Sequence, residues 1–179
     1  MNLRTACLED VPALEVLIDA SVRELQAEDY TAEQIELALR TVFTVDRLLI
    51  EDGTYFVAER GGRLAGCGGW SRRKTLCGGS HHTVRDDALL DPACDAAKIR
   101  AMFVAPSHAR QGLGSLILKA AEAAAAAEGF TRLEMAATLS GVPLYLHQGY
   151  RVVEYTDVPI GDDVFLPVVH MARTIATSR

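Results

Sequence analysis

Residues 98–118 constrain this 179-residue chain more than any other stretch. They read in order as a strand, a tight glycine loop and the start of a long helix. Residues 99–104 are a short apolar run with β-branched and aromatic members, which favours a strand. Pro106 ends it, because proline has no N–H to give to a ladder. Gly112 and Gly114 then open a run in which Leu113, Leu116, Ile117, Ala120 and Ala124 recur at helical spacing. The alanines between Ala120 and Ala127 strengthen that helix, and Gly129 caps its end.

A helix N-terminus presents unpaired N–H groups and a partial positive charge, so a glycine loop leading into one is suited to an anion. Arg110 adds a side-chain cation at the same end. A phosphate or pyrophosphate is the ligand such a loop implies. Two nucleotide loops fit poorly. Ser115 and Leu116 follow Gly114 where a Walker loop needs Lys, and Ile117 stands where a dinucleotide fingerprint needs its third glycine. Taken alone, the loop is also compatible with a plain helix-start turn.

The charge distribution points the same way. Residues 1–60 carry 13 acidic and 5 basic side chains, residues 61–130 carry 6 and 9, and residues 131–179 carry 5 and 4. The basic middle third contains the glycine loop, and the acidic first third argues against nucleic acid as a partner. No apolar run approaches the ~18 residues of a membrane span. No signal-peptide core follows Glu9 and Asp10, so a cytoplasmic location is expected. Cys7, Cys67, Cys77 and Cys94 form no C-x-x-C pair and are expected as free thiols. Residues 1–179 are expected to form one domain.

Strands are expected at 3–7, 54–59, 63–70, 99–104, 131–136, 150–155 and 164–172. A turn is expected at 159–162, and Pro167 marks the last strand as an edge or bulged one. Helices are expected after Asp10, after Thr31 with its Gln34 capping box, after Gly112, and from Ser140 to Gln148. The order β-α-α-β-β-β-α-β-α-β-β describes an α/β fold, a single mixed sheet flanked by helices on both faces. Residues 71–97 lack a clear period and are long for a plain connection.

With that order in view, the chain resembles the GNAT superfamily of acyl-CoA-dependent N-acyltransferases over most of its length. The signature loop Arg/Gln-x-x-Gly-x-Gly/Ala appears as Ala109-Arg-Gln-Gly-Leu-Gly114, with Ala109 replacing the first Arg or Gln. Downstream, Pro143-Leu-Tyr-Leu-His-Gln-Gly-Tyr150 is similar to the family's Leu-Tyr-x-x-x-Gly-Phe/Tyr element. Thr138 stands where many members carry Asn, seven residues before the tyrosine.

The resemblance implies a largely antiparallel sheet and an acetyl-CoA co-substrate, with no metal. It implies a pyrophosphate held by the amides of Arg110, Gln111, Gly112, Leu113, Gly114 and Ser115. It also implies a pantetheine arm lying along Met102, Phe103 and Val104, as an added strand would. The reaction implied is direct attack of a primary amine on the acetyl thioester through a tetrahedral intermediate, with Tyr145 as general acid. A phenol, with a pKa of about 10, stays protonated above a thiol's ~8.5 and can donate to the leaving thiolate. Trp70 and Ser71, closing the glycine-rich strand, and Glu24 and Glu28, near the end of the first helix, are the candidates for the acceptor pocket. Arg72, Arg73 and Lys74 are candidates for an acidic group or the CoA 3′-phosphate.

Residues 98–104 contain no carboxylate, so the sequence names no general base; Glu24, Glu28, Glu134, His147 and His170 are candidates through a water. His81 and His82 lack further ligands at zinc spacing, so no metal site is expected. A homodimer is expected from the family habit. Two rival readings remain: a CoA-binding regulatory module with little catalysis, and a protein or peptide N-acetyltransferase.

Overall fold

In the computed structural model, which describes residues 1–80 and 85–175, seven strands build one sheet. They are β1 (Asn2–Thr5), β2 (Tyr55–Arg60), β3 (Arg63–Ser71), β4 (Ala97–Val104), β5 (Arg132–Thr138), β6 (Arg151–Gly161) and β7 (Val164–Thr174). Their spatial order is β1-β2-β3-β4-β5-β7-β6. Every neighbouring pair is antiparallel except β4 and β5. Those two are joined by a helical crossover, which a parallel connection requires.

The helices are α1 (Val11–Leu25), α2 (Ala32–Arg40), α3 (Arg47–Glu51), α4 (Leu113–Ala127) and α5 (Val142–His147). α1 and α2 place Leu14, Ile18, Val22, Ile35 and Ala38 in one core with Val57, Cys67, Phe103 and Val168 of the sheet. On the opposite face α4 packs Leu118, Ala121 and Ala125 with Ile99, Leu133, Met135 and Val169, and Tyr145 of α5 joins them. The 3.6-residue period of α1 and α4 selects those buried faces.

The structure differs from the sequence reading at three places: one helix is added and two local expectations are corrected. α3 has no sequence signature, because five residues carry no readable period; Asp46 caps it, with Oδ1 accepting from the Leu48 N–H at 3.2 Å, and Leu49 and Ile50 are its buried residues. The expected turn at 159–162 lies later: Pro159 and Ile160 belong to β6, and Asp163 takes the left-handed turn conformation at φ 57°. The strand that carries Pro167 is not an edge strand of the sheet, and it has no bulge at that residue. β7 is internal, but its pairing with β5 stops at Thr138 and Val168. The missing N–H of Pro167 therefore faces a side without a strand, and the carbonyl on that side accepts from Tyr30 Oη at 2.7 Å.

Two irregularities position the site. β4 and β5 pair only at Ala97 with Leu133 and at Lys98 with Glu134, and the strands then part. Just beyond, Ala101 adopts φ 52°, and the β3–β4 register slips between Cys67 and Gly69. The alternation of β4 slips with it. Ile99 and Met102 pack toward α4, while Ala101 and Phe103 pack toward α1. The Ala101 carbonyl is held by Tyr55 Oη at 2.9 Å.

The glycines of β3 fit this close approach. A Cβ on Gly69 would lie 2.1 Å from the Thr54 carbonyl oxygen and 2.9 Å from Tyr55 Cα, both backbone atoms. Gly69→Ala is expected to cost about 3 kcal/mol, at the upper end of overpacking penalties, because backbone cannot move aside as a side-chain tip does. Urea unfolding measures this, and an unchanged midpoint would show that β3 does not need glycine there.

Candidate functional site

Where β4 and β5 part, the strand edge is left open. The Ala105 N–H donates to the Ala65 carbonyl at 2.8 Å, toward β3. By strand alternation the N–H and C=O groups of Met102 and Val104 face the other way, into the gap that β5 has left. A groove of about 1470 Å³, open mouth included, runs along this edge. Met102, Phe103 and Val104 line it, with the C-terminal end of α1 (Ser21, Leu25, Gln26) and the start of α5.

At one end of the groove lies the glycine loop. Arg110 (φ 61°) and Gly112 (φ 80°) both take left-handed backbone, turning the chain sharply before α4. Gly112 is the N-cap and has no side chain to satisfy the first amides of the helix. The first helical bond made from this end is the Leu116 N–H to the Gly112 carbonyl at 3.1 Å, so the amides of Leu113, Gly114 and Ser115 lie ahead of the ladder. Arg110, Gly112, Leu113, Gly114 and Ser115 all line the groove. Gln111 does not: its side chain turns to Ser107 and Arg60, at 3.2 and 2.6 Å. Unpaired amides, a helix dipole and the Arg110 cation fit a pyrophosphate, and the open edge of β4 fits the amide-bearing arm of CoA.

A second cavity, about 720 Å³ with its mouth, enters from the α1–α2 side of the sheet. Its walls are mainly apolar, among them Val42, Phe43, Leu76, Val158, Leu166 and Val168. Its polar end holds Asp46 and Arg100, whose side chains are 2% and 3% exposed. Asp46 Oδ2 accepts from Arg100 Nη2 at 2.9 Å and from Arg85 Nη1 at 3.1 Å. Arg100 also donates to the carbonyls of Thr75 (2.9 Å) and Gly78, and Arg85 to that of Gly79 (2.9 Å). This network pins residues 75–79 across the cavity. Gly79 comes so close that a Cβ there would lie 2.1 Å from Thr44 Oγ1. Sequence reasoning missed Arg100 and Asp46. A lone Arg in an apolar strand was the available signal, but its carboxylate partner stands 54 residues away.

The groove and the cavity share Met102, Phe103, Thr138 and Tyr145. Tyr145 is 7% exposed, and its ring packs edge-on against Tyr150 at 5.9 Å. Gly141 leaves room for it, since a Cβ there would lie 2.9 Å from Tyr145 Cε2. Tyr150 is itself fixed by Glu122 at 2.9 Å, which Arg173 also grips. Burial raises the Tyr145 pKa well above the ordinary phenol value, so the hydroxyl stays protonated. Its oxygen has no hydrogen-bond partner among the described residues, leaving it free to donate at the junction.

The remaining candidates lie elsewhere. Glu24 and Glu28 are exposed and line neither space. Trp70 is buried against Phe130 on the α4 side, and Ser71 Oγ accepts from the Arg73 N–H at 3.0 Å; neither reaches the cavity. Arg72 pairs with Glu128 and Arg73 with Asp52, so their charges are engaged away from the groove. Glu134 is held by Lys98 at 2.8 Å and lies 3.5 Å from His170, outside both linings. His147 lines the groove but not the cavity. His81 and His82 lie outside the described residues.

Residues 20–150 match the model of the Acetyltransferase (GNAT) family. No curated protein matches the chain by sequence. Among solved structures, a GCN5-related N-acetyltransferase from Rhodopseudomonas palustris superposes with TM-score 0.72 at 21% identity, covering 97% of this chain and 95% of its own. The PaiA N-acetyltransferase from Thermoplasma acidophilum, solved with coenzyme A, gives 0.65 at 14% identity over 97% and 98%. The ribosomal-protein-alanine N-acetyltransferase from Brucella melitensis gives 0.64 at 16% identity over 98% and 100%. At these identities the likeness is one of fold.

Removing the carboxylate of Asp46 would leave two guanidinium groups facing each other in a water-poor layer. Asp46→Ala is therefore expected to destabilise the protein by about 3–5 kcal/mol, the usual cost of breaking a buried pair. Urea unfolding checks this; a loss below about 1 kcal/mol, typical of exposed pairs, would contradict the tie.

Proposed function

The chain belongs to the Acetyltransferase (GNAT) family, and on that premise we propose that it transfers the acetyl group of acetyl-CoA to the primary amine of a small acceptor. The observation that carries this reading is the meeting of the groove and the cavity at Tyr145. The α4 amides would hold the pyrophosphate and the β4 edge the pantetheine arm. Bound acetyl-CoA supplies the activated thioester. The acceptor occupies the cavity, its amine directed through the strand gap.

Each residue then has a task. Backbone N–H groups at the open edge of β4 stabilise negative charge on the thioester oxygen. Tyr145 donates a proton toward the departing thiolate; its raised pKa keeps that proton available. Asp46 is the one carboxylate among the described residues of the cavity wall, and two arginines already hold it. The amine therefore sheds its proton to water. The mainly apolar wall, crossed by residues 75–79, favours a small acceptor with an apolar body over a peptide. Glu24 and Glu28 act at a distance, through a field that salt screens.

Tyr145→Phe removes one hydroxyl and little volume. Turnover is expected to fall about 10²–10⁴-fold with CoA affinity kept, read as released CoA thiol across an amine panel. Turnover within about twofold of the parent would hand the proton to water instead.

The pH profile tests how the amine is deprotonated. Only the neutral amine attacks, so kcat/KM is expected to rise about tenfold per pH unit below the acceptor's own pKa. The rising limb should move with that pKa when acceptors are exchanged. A limb fixed by the enzyme, the same for every amine, would show that a protein base takes the proton.

A further inference from the structure

Gln26 caps α1, and its main chain is fully engaged. The N–H donates to the Val22 carbonyl at 3.2 Å, and the carbonyl accepts from Asp29 and Tyr30 N–H, each at 3.1 Å. The side chain is not. Gln26 is 5% exposed, its carboxamide makes no hydrogen bond with any described residue, and Oε1 is buried without a partner. A carboxamide can give two hydrogen bonds and accept two. Burying Oε1 unpaired costs free energy with no return in the ligand-free protein.

Its position indicates the missing partner. Gln26 lines the groove but not the acceptor cavity. The groove runs from the unpaired amides of α4 to Tyr145, and Gln26 approaches it from α1, while the open edge of β4 borders it too. A ligand joining a pyrophosphate at one end to a thioester at the other carries secondary amides between them. Such an amide offers one N–H and one C=O, the complement of a carboxamide.

We propose that the Gln26 carboxamide receives a secondary amide of the pantetheine arm, holding it against the β4 edge. This inference rests on reading the groove as the acetyl-CoA site. It makes Gln26 a positioning residue that fixes the arm, and so the thioester, at the strand gap.

The test uses Gln26→Leu, with Gln26→Met as an unbranched second variant. Calorimetry measures the Kd of CoA and of adenosine 3′,5′-bisphosphate, which shares the nucleotide but lacks the arm. Thermal unfolding of the ligand-free protein is measured alongside. For both variants the CoA affinity is expected to fall about tenfold, the loss of one buried hydrogen bond. The bisphosphate affinity should stay within about twofold. The Tm of the free protein should hold or rise, because an unpaired buried polar group has gone. Unchanged CoA affinity overturns the proposal, as does equal weakening of both ligands. A raised acceptor KM with unchanged CoA affinity moves Gln26 to the acceptor and overturns it as well. If the parent binds neither CoA nor the bisphosphate, the acetyl-CoA reading of the groove falls first.

Discussion

The parting of β4 from β5 is the constraint on which the rest of this structure depends. Parallel strands joined by a helix ordinarily continue their ladder, since an open edge leaves backbone groups unpaired. Here pairing ends after two residues of each strand. A sheet with two packed faces would otherwise keep a ligand on one side apart from a ligand on the other. The gap removes that barrier. It lets the α1–α2 side, where the cavity opens, meet the groove that leads to α4. The slip at Ala101 serves the same end, leaving Ile99 and Met102 packed toward α4 while Ala101 and Phe103 pack toward α1.

An opening in a sheet loses stability that must be recovered nearby, and the network around Asp46 lies at that point. Burial opposes the charge of Arg100, while Asp46 supports it, and the three carbonyls that accept from the two arginines come from a connecting segment without regular structure. Guanidinium groups suit this work because their planar fork reaches several acceptors at once, which a lysine ammonium on a flexible stem does less well. The same bonds close one wall of the cavity. Stability and pocket shape are therefore coupled in a single cluster.

The legible parts of the chain were those written in local patterns. Strand, glycine loop and helix at 98–118 could be read because their signals lie within a few residues of one another. The capping box of Thr31 and Gln34 formed as its spacing requires, with the Gln34 N–H donating to Thr31 Oγ1 at 3.1 Å and Gln34 Oε1 accepting from the Thr31 N–H at 2.9 Å. What could not be read depends on contacts distant in sequence. Arg100 looked like an ordinary strand residue until Asp46 was beside it. Trp70 and Ser71 close a glycine-rich strand, which indicates close approach without saying which face is crowded. Glu24, in the last turn of α1, and Glu28, in the turn that follows it, are both exposed, and only the packed structure separates them from Gln26 between them, which is buried.

The groove gathers departures from polar satisfaction that would each be a defect alone. The α4 amides are ahead of their helix ladder, the β4 edge has lost its neighbour, the Tyr145 hydroxyl is unbonded among the described residues, and Gln26 Oε1 is buried without a partner. Scattered over a molecule, such groups would only lower stability. Lined along one groove, they form a sequence of donors and acceptors that starts at a cationic helix end, continues through amide-like groups and finishes at a protonated phenol. Phosphate, amide and thioester in that order are its chemical complement. The other buried unpaired atom among the described residues, His170 Nε2, stands apart beside Glu134 and belongs to no such series. Order along the groove, more than any single residue in it, is what separates a binding surface from a collection of unmade bonds.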